Sequence, residues 1–175
     1  IIRLARVRSE RDIHLALIGE GPVAAQMRSR ALPGFVHLLG FQADIPSLFA
    51  ISDTVILPSR FKGESFPLVL IESMMVGTPV VCSDLGESRA MIAPPGETAA
   101  GYCLPLKAGR ADVEGFADAI VRLATRPDIM NTRSQAARHI GERFDIQRVT
   151  DGYGKVFAAT LSRNRTDREK SGRET

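Results

Sequence analysis

The chain has 175 residues, 44% hydrophobic and 25% charged, which suits one soluble domain with a sizeable core. Its net charge of +3 arises from basic residues scattered among 20 acidic ones, with no basic run of the kind that grips nucleic acid, so no nucleic-acid partner is expected. Cys82 and Cys103 are too few and too far apart for a metal pair or a disulfide framework, and read as reduced thiols of a cytosolic protein; no apolar run reaches the ~18 residues that span a bilayer, and no signal-peptide layout is seen.

Residues 1–10 read as the end of a helix, and the apolar run 13–18 as a short buried strand closed by Gly19. Gly19-Glu20-Gly21-Pro22 makes a tight turn; Pro22 suits the first position of a helix over 23–31, which Pro33-Gly34 ends. A second strand is expected at 35–39, a short helix at 45–52, and a third strand at 54–57 closed by Pro58-Ser59. Beyond a loop at 60–66, residues 67–76 read as a buried helix stopped by Gly77-Thr78-Pro79, with a strand at 80–83. Residues 84–100, rich in Gly, Pro and Ala, are expected to be irregular around one short helix, before a last strand at 101–106. Amphipathic helices follow at 112–125, with Phe116, Ile120 and Leu123 on one face, at 128–143 and at 146–161; residues 163–175 read as a disordered charged tail.

Strands alternating with helices predict an α/β fold, a Rossmann-like parallel sheet with helices on both faces and ligands at the carboxyl ends of the strands. One domain over residues 1–162 is expected.

Three motifs compete for the chemistry. Gly19-Glu20-Gly21-Pro22-Val23-Ala24 matches the G-x-G-x-x-A dinucleotide fingerprint, but the second strand ends in Leu39-Gly40 and lacks the acidic residue that holds the ribose; the glycines then serve either a tight turn or a turn lining some other nucleotide. Gly63-Glu64-Ser65-Phe66-Pro67 resembles a nucleophile elbow but carries proline where the last glycine belongs, and no Asp and His at persuasive positions complete a triad. The third motif is a pair of carboxylates, Glu64 in a loop and Glu72 between Ile71 and Met74 of an apolar helix. A buried Glu72 needs partners, which ribose hydroxyls or an internal salt bridge or cap would supply, while the free amides at the start of the same helix suit a diphosphate. Glu64 alone reads equally as a solvated loop residue.

The segment 64–81, ESFPLVLIESMMVGTPVV, strongly resembles the E-x7-E segment of family 4 retaining glycosyltransferases. LALIGEGP at 15–22, FVHLLGF at 35–41, DTVILPS at 53–59, SDLGE at 83–87 and AGYCLPL at 100–106 resemble that family's C-terminal domain in order and spacing, over about residues 1–160. The resemblance implies the donor-binding C-terminal half of a GT-B fold, in a chain too short to be the whole enzyme. Sugar transfer from a nucleotide-diphosphate sugar to an acceptor hydroxyl, with retention, is implied.

Carried over by position, Glu72 holds the ribose and Glu64, the catalytic candidate, faces the donor sugar and leaving diphosphate. Ser65, Phe66, Pro67 and Leu68 line that site, with Pro58 and Ser59 nearby. The backbone around His37, Leu38 and Leu39 meets the nucleobase, and Gly19 and Gly21 keep the first turn open. His37 reads as a packed or backbone-presenting residue rather than a proton carrier, and Met74 and Met75 as core filler.

The family's Arg and Lys, which neutralise the leaving group, come from a loop before the part seen here. Arg3, Arg6 and Arg8 fall in the following helix and do not replace them, so the isolated chain is expected to be inactive. An opening strand and the N-terminal domain, which supplies the acceptor pocket, are likewise expected to be missing. Ser65, where many members have Gly, and Gly86-Glu87-Ser88-Arg89, where they often carry Gly-Gly and a later Glu, depart from the pattern and bear on sugar preference.

The resemblance further implies no metal and no cofactor beyond a donor linked to UDP or GDP, an acceptor sugar or lipid-linked glycan, and a role in polysaccharide assembly. A cytoplasmic enzyme in peripheral contact with the membrane fits it. A non-catalytic nucleotide-sugar-binding domain and a nucleotide-sugar epimerase of the same fold are the alternatives.

Overall fold

A computed structural model describes residues 1–171, with side chains described through residue 162. Residues 1–141 form one compact unit, and a second begins at Glu142, where a single domain through 162 was expected. In the first unit the elements are α1 (Ile2–Ser9), β1 (Leu15–Ile18), α2 (Pro22–Arg28), β2 (Val36–Gly40), α3 (Ile45–Ala50), β3 (Val55–Leu57), α4 (Leu68–Met75), β4 (Val80–Ser83), α5 (Ser88–Ile92), β5 (Gly101–Leu104), α6 (Val113–Thr125) and α7 (Pro127–Gly141). The second unit holds a short 3-10 turn (Glu142–Phe144) and α8 (Ile146–Ser171). The tail expected to be disordered from 163 is thus helical through Ser171; its last four residues, 172–175, lie outside the described residues.

Every strand pairing is parallel, but the strands form two sheets rather than one: β1–β2, and β3–β4–β5. β4 is central to its sheet and buried at all four positions, as a Val-Val-Cys-Ser run covered on both faces should be. On the Val81 side lie α1 and α6, sharing a core of Ile2, Ala5, Phe116, Ala117, Ala119, Ile120 and Leu123. α6 forms because its apolar residues recur at helical spacing and Asp112 caps it, accepting from the Gly115 amide at 3.1 Å. On the other side α4 packs against α7, with Leu70 and Met74 fully buried.

α4 ends in a Schellman motif: the Gly77 amide (φ 83°) donates to the Met74 carbonyl at 2.9 Å and the Thr78 amide to the Ser73 carbonyl at 2.9 Å. Ser73 Oγ then donates to the Thr78 carbonyl (2.9 Å) and Thr78 Oγ1 to the Phe49 carbonyl (2.7 Å), which fixes the end of α4 to α3.

Between the two sheets runs a slot of about 1170 Å³. β1 from Leu15 to Ile18 forms one wall and Thr54, Val55 and Ile56 the other; α1 and α6 contribute Ile2, Ile120 and Leu123, and α3 and α4 contribute Phe49, Val69 and Glu72. The slot therefore has strands at its sides and helices over both faces, the surroundings of an interior strand in a doubly wound sheet.

Candidate functional site

Within each sheet the loops that follow the strands leave from one edge. After β1 the chain turns through Gly19 and Gly21, whose φ of 120° and 148° L side chains rarely adopt, although a Cβ at either would meet no atom within 4 Å. The Gly19 amide donates to the Gly40 carbonyl at 2.7 Å and ties the ends of β1 and β2. Beside Gly40 lies the ion pair Glu20–Arg28 (2.8 Å), whose guanidinium holds the Glu20 carboxyl below the usual range.

His37 is not packed. Its exposed ring stacks on His14 with centroids 5.1 Å apart, and its Nε2 lies 2.8 Å from His14 Nδ1; Asp12 stands 3.2 Å from His14 Nε2. Leu38 is half-buried and Leu39 exposed.

After β3, Ser59 Oγ accepts from the Phe61 amide at 3.2 Å and starts the loop that delivers Glu64. Glu64 is half-buried, Ser65, Phe66 and Leu68 are exposed, and Pro67 is buried at the N-cap of α4. Among the described residues no side chain caps α4; the Leu70 amide donates to the Pro67 carbonyl at 3.1 Å, and those of Leu68 and Val69 are left for an anion.

Glu72 corrects the sequence reading. It is exposed, because Leu70, Ser73 and Met74 form the buried stripe of α4 while Leu68, Glu72 and Met75 lie on the opposite one; Met75 is likewise exposed rather than core. Among the described residues neither the Glu64 nor the Glu72 carboxylate makes a hydrogen bond or ion pair. His37, Leu39 and Glu72 share the wall of the slot, whereas Glu64, Ser59 and residues 65–68 do not line it.

Of the arginines near the start, Arg6 bonds Asp12 (2.6 Å) and the Ile13 carbonyl, and Arg8 bonds Glu114 and Asp118. Both are committed to surface ion pairs. Cys82 and Cys103 are register partners on β4 and β5, free thiols, with the Cys82 thiol pushed up by its contact with Cys103 and by burial.

A contact invisible in the sequence joins Glu64–Ser65 to the loop after β4. The Glu87 amide donates to the Ser65 carbonyl at 2.8 Å, and Gly86 lies against the same segment. Among the described residues no group of three or more His, Cys, Asp or Glu stands ready to hold a metal, and no helix is long and apolar enough to cross a membrane.

The chain has relatives among known proteins. The family model for glycosyl transferases group 1 matches residues 1–126. The chain belongs to that family. It is 38% identical over 129 residues to phosphatidyl-myo-inositol mannosyltransferase of Mycobacterium leprae, covering 72% of this chain and 32% of that protein. It is 30% identical over 119 residues to D-inositol 3-phosphate glycosyltransferase of Saccharomonospora viridis, covering 68% and 26%. It therefore spans only about a quarter to a third of these two relatives. Among solved structures, Anabaena HepE in complex with UDP superposes with a TM-score of 0.70 at 22% identity, over 89% of this chain and 43% of that one, which shows a shared α/β fold.

Proposed function

We propose that residues 1–141 are the donor-binding domain of a family 4 retaining glycosyltransferase, which moves a sugar from a UDP- or GDP-linked donor to the hydroxyl of an acceptor sugar or lipid-linked glycan. In the reaction the bond between anomeric carbon and phosphate oxygen breaks, the acceptor oxygen takes its place on the same face, and the acceptor proton leaves.

Glu72 accepts from the ribose hydroxyls, the open amides of α4 hold the diphosphate, Glu64 faces the sugar, and the backbone around Leu38 and Leu39 meets the base. The observation that carries this reading is that Glu64 and Glu72 bracket the uncapped start of α4 and that their carboxylates have no partner among the described residues. Names of relatives support the chemistry: a mannosyltransferase of phosphatidyl-myo-inositol and a glycosyltransferase of D-inositol 3-phosphate. The UDP in the Anabaena structure supports a nucleotide donor. The same reading places the enzyme in the cytoplasm, meeting a lipid-linked acceptor at the membrane surface.

The slot belongs to the proposal. A further parallel strand leading into α1 would fill it, since Ile2 already lines it and a strand–α1–β1 unit is the right-handed crossover such sheets use. The acceptor pocket and the cationic groups that neutralise the leaving diphosphate then lie in sequence outside the 175 residues.

Calorimetric titration with UDP, GDP and ADP and their sugars tests the donor site. One nucleotide should bind, and Glu72→Ala should weaken it by about tenfold or more with circular dichroism unchanged, in line with the loss of a charged hydrogen bond. Binding that survives Glu72→Ala at wild-type strength would remove Glu72 from the site, and a folded chain that binds none of the three would end the donor-domain reading.

A further inference from the structure

The donor-facing carboxylate sits on a loop with little intrinsic support. Between residues 59 and 65 the loop closes on itself, through Phe61 N to Ser59 Oγ and Glu64 N to the Phe61 carbonyl (3.0 Å), while Glu87 N reaches the Ser65 carbonyl from the β4–α5 connection. At Gly86 the two segments touch backbone to backbone. A Cβ there would lie 2.3 Å from the Glu64 carbonyl oxygen, 2.4 Å from that of Ser65 and 2.6 Å from Ser65 Cα, and φ is 51°, in the left-handed region. No rotamer relieves such contacts, because every atom met is main chain.

The connection itself is braced on its far side. Arg89 Nε and Nη2 donate to Asp84 Oδ2 at 2.9 and 2.6 Å, Arg89 Nη2 reaches the Cys103 carbonyl at 3.2 Å, and the Asp84 amide donates to the Leu104 carbonyl at 2.8 Å. The hydrogen bond to Asp84 in turn raises the Arg89 pKa. A continuous bracket thus runs from β5 through Asp84 and Arg89 to Gly86, and from there onto Glu64–Ser65.

We propose that Gly86 and the Asp84–Arg89 pair are positioning residues for Glu64: the bracket sets where the carboxylate meets the donor sugar, and Gly86 is the one residue thin enough to let it close. The proposal rests on the donor-site reading of Glu64. A side chain at position 86 must drive the Glu64–Ser65 backbone back by about 1 Å to reach ordinary contact, a displacement that in a preorganised site costs on the order of a hundredfold. The nucleotide, held by Glu72 and the start of α4, should feel much less of it.

The test is titration of the full chain and its Gly86→Ala variant with UDP, UDP-glucose, GDP and GDP-mannose. For the pair that the wild type binds, Gly86→Ala should weaken the nucleotide sugar by about tenfold or more and the bare nucleotide by less than about threefold. In a Glu64→Ala background the same substitution should add less than about twofold, because the group it positions is gone. Arg89→Ala, which leaves the backbone free of strain, should reproduce the sugar-selective loss in milder form, and it decides the matter if Gly86→Ala fails to fold.

Equal weakening of sugar and nucleotide, or an unchanged effect in the Glu64→Ala background, would reduce Gly86 to a packing residue and overturn the proposal; so would wild-type sugar affinity in both variants. A wild type that takes none of the four ligands is a separate result, since it removes the donor site and the proposal with it.

Discussion

Replacing Gly141 by alanine sets two effects against each other. Gly141 closes α7 with no positive φ, so alanine gains helix propensity there, roughly 1 kcal/mol at most and less at a helix end. Its Cβ, however, would lie 2.6 Å from Met74 C and O and 2.7 Å from Met75 N, main-chain atoms of α4. Ordinary contact needs about 3.5 Å, so the two helices must part by about 1 Å. α4 cannot give way easily, because Leu70 and Met74 are fully buried and its end is fixed through Ser73 and Thr78 to α3. The retreat falls on α7, whose Ala136, Ala137 and Ile140 share the buried face. Overpacking of this kind costs roughly 1–3 kcal/mol. The clash outweighs the propensity, and a net loss of about 1–2 kcal/mol is expected. Urea unfolding followed by far-ultraviolet circular dichroism reads it as a lower midpoint at unchanged slope. A midpoint equal to or above the wild type would mean that propensity wins and that α7 does not approach α4 at this distance.

Two more expectations follow from particular hydrogen bonds. The Asp112 carboxyl is held below the usual range by Lys107, whose Nζ is 2.9 Å away, and by the Gly115 amide. A folded-state pKa below the unfolded value, near 4, gives stability that is present above that value and lost as pH falls through the folded one. Asp112→Asn keeps a capping acceptor but has no charge to lose, so its urea midpoint should fall less steeply than the wild type's below about pH 4; parallel slopes would contradict the assignment. In the slot, Leu15 and Gly19 donate toward β2 and Val55 toward β4, so alternation along the strands points the amides of Ala16, Ile18 and Ile56 into open space. Hydrogen exchange at those three should be at least about a hundredfold faster than at Leu17 and Leu57, and equal protection would refute the open slot.

The elements were largely legible because each is punctuated: Pro22 opens α2, Gly77 in its Schellman motif closes α4, and Asp112 caps α6. What misled was composition taken for periodicity. Ile71 and Met74 near Glu72 suggest a helix buried all round, yet the 3.6-residue repeat puts Glu72 opposite Leu70 and Met74, so it is free to meet a ligand instead of needing an internal partner. The division into two sheets leaves no trace in strand spacing, since a sequence states which strands exist and not which pair. Nor could Gly86 be found beside Glu64, as the two are joined only by a close approach between separate loops. The His14–His37 stack arises the same way, from the register that sets Ala16 against His37.

The slot has a consequence for the 175-residue chain as a material. β1 and β3 each present a bare edge of unpaired amides and carbonyls flanked by apolar side chains, and an uncovered edge is a template for any extended segment that reaches it. The two edges face one another across a single slot, so one extended segment would meet both at once. A strand that fills the slot would therefore remove both bare edges together, and would act on solubility as much as on stability.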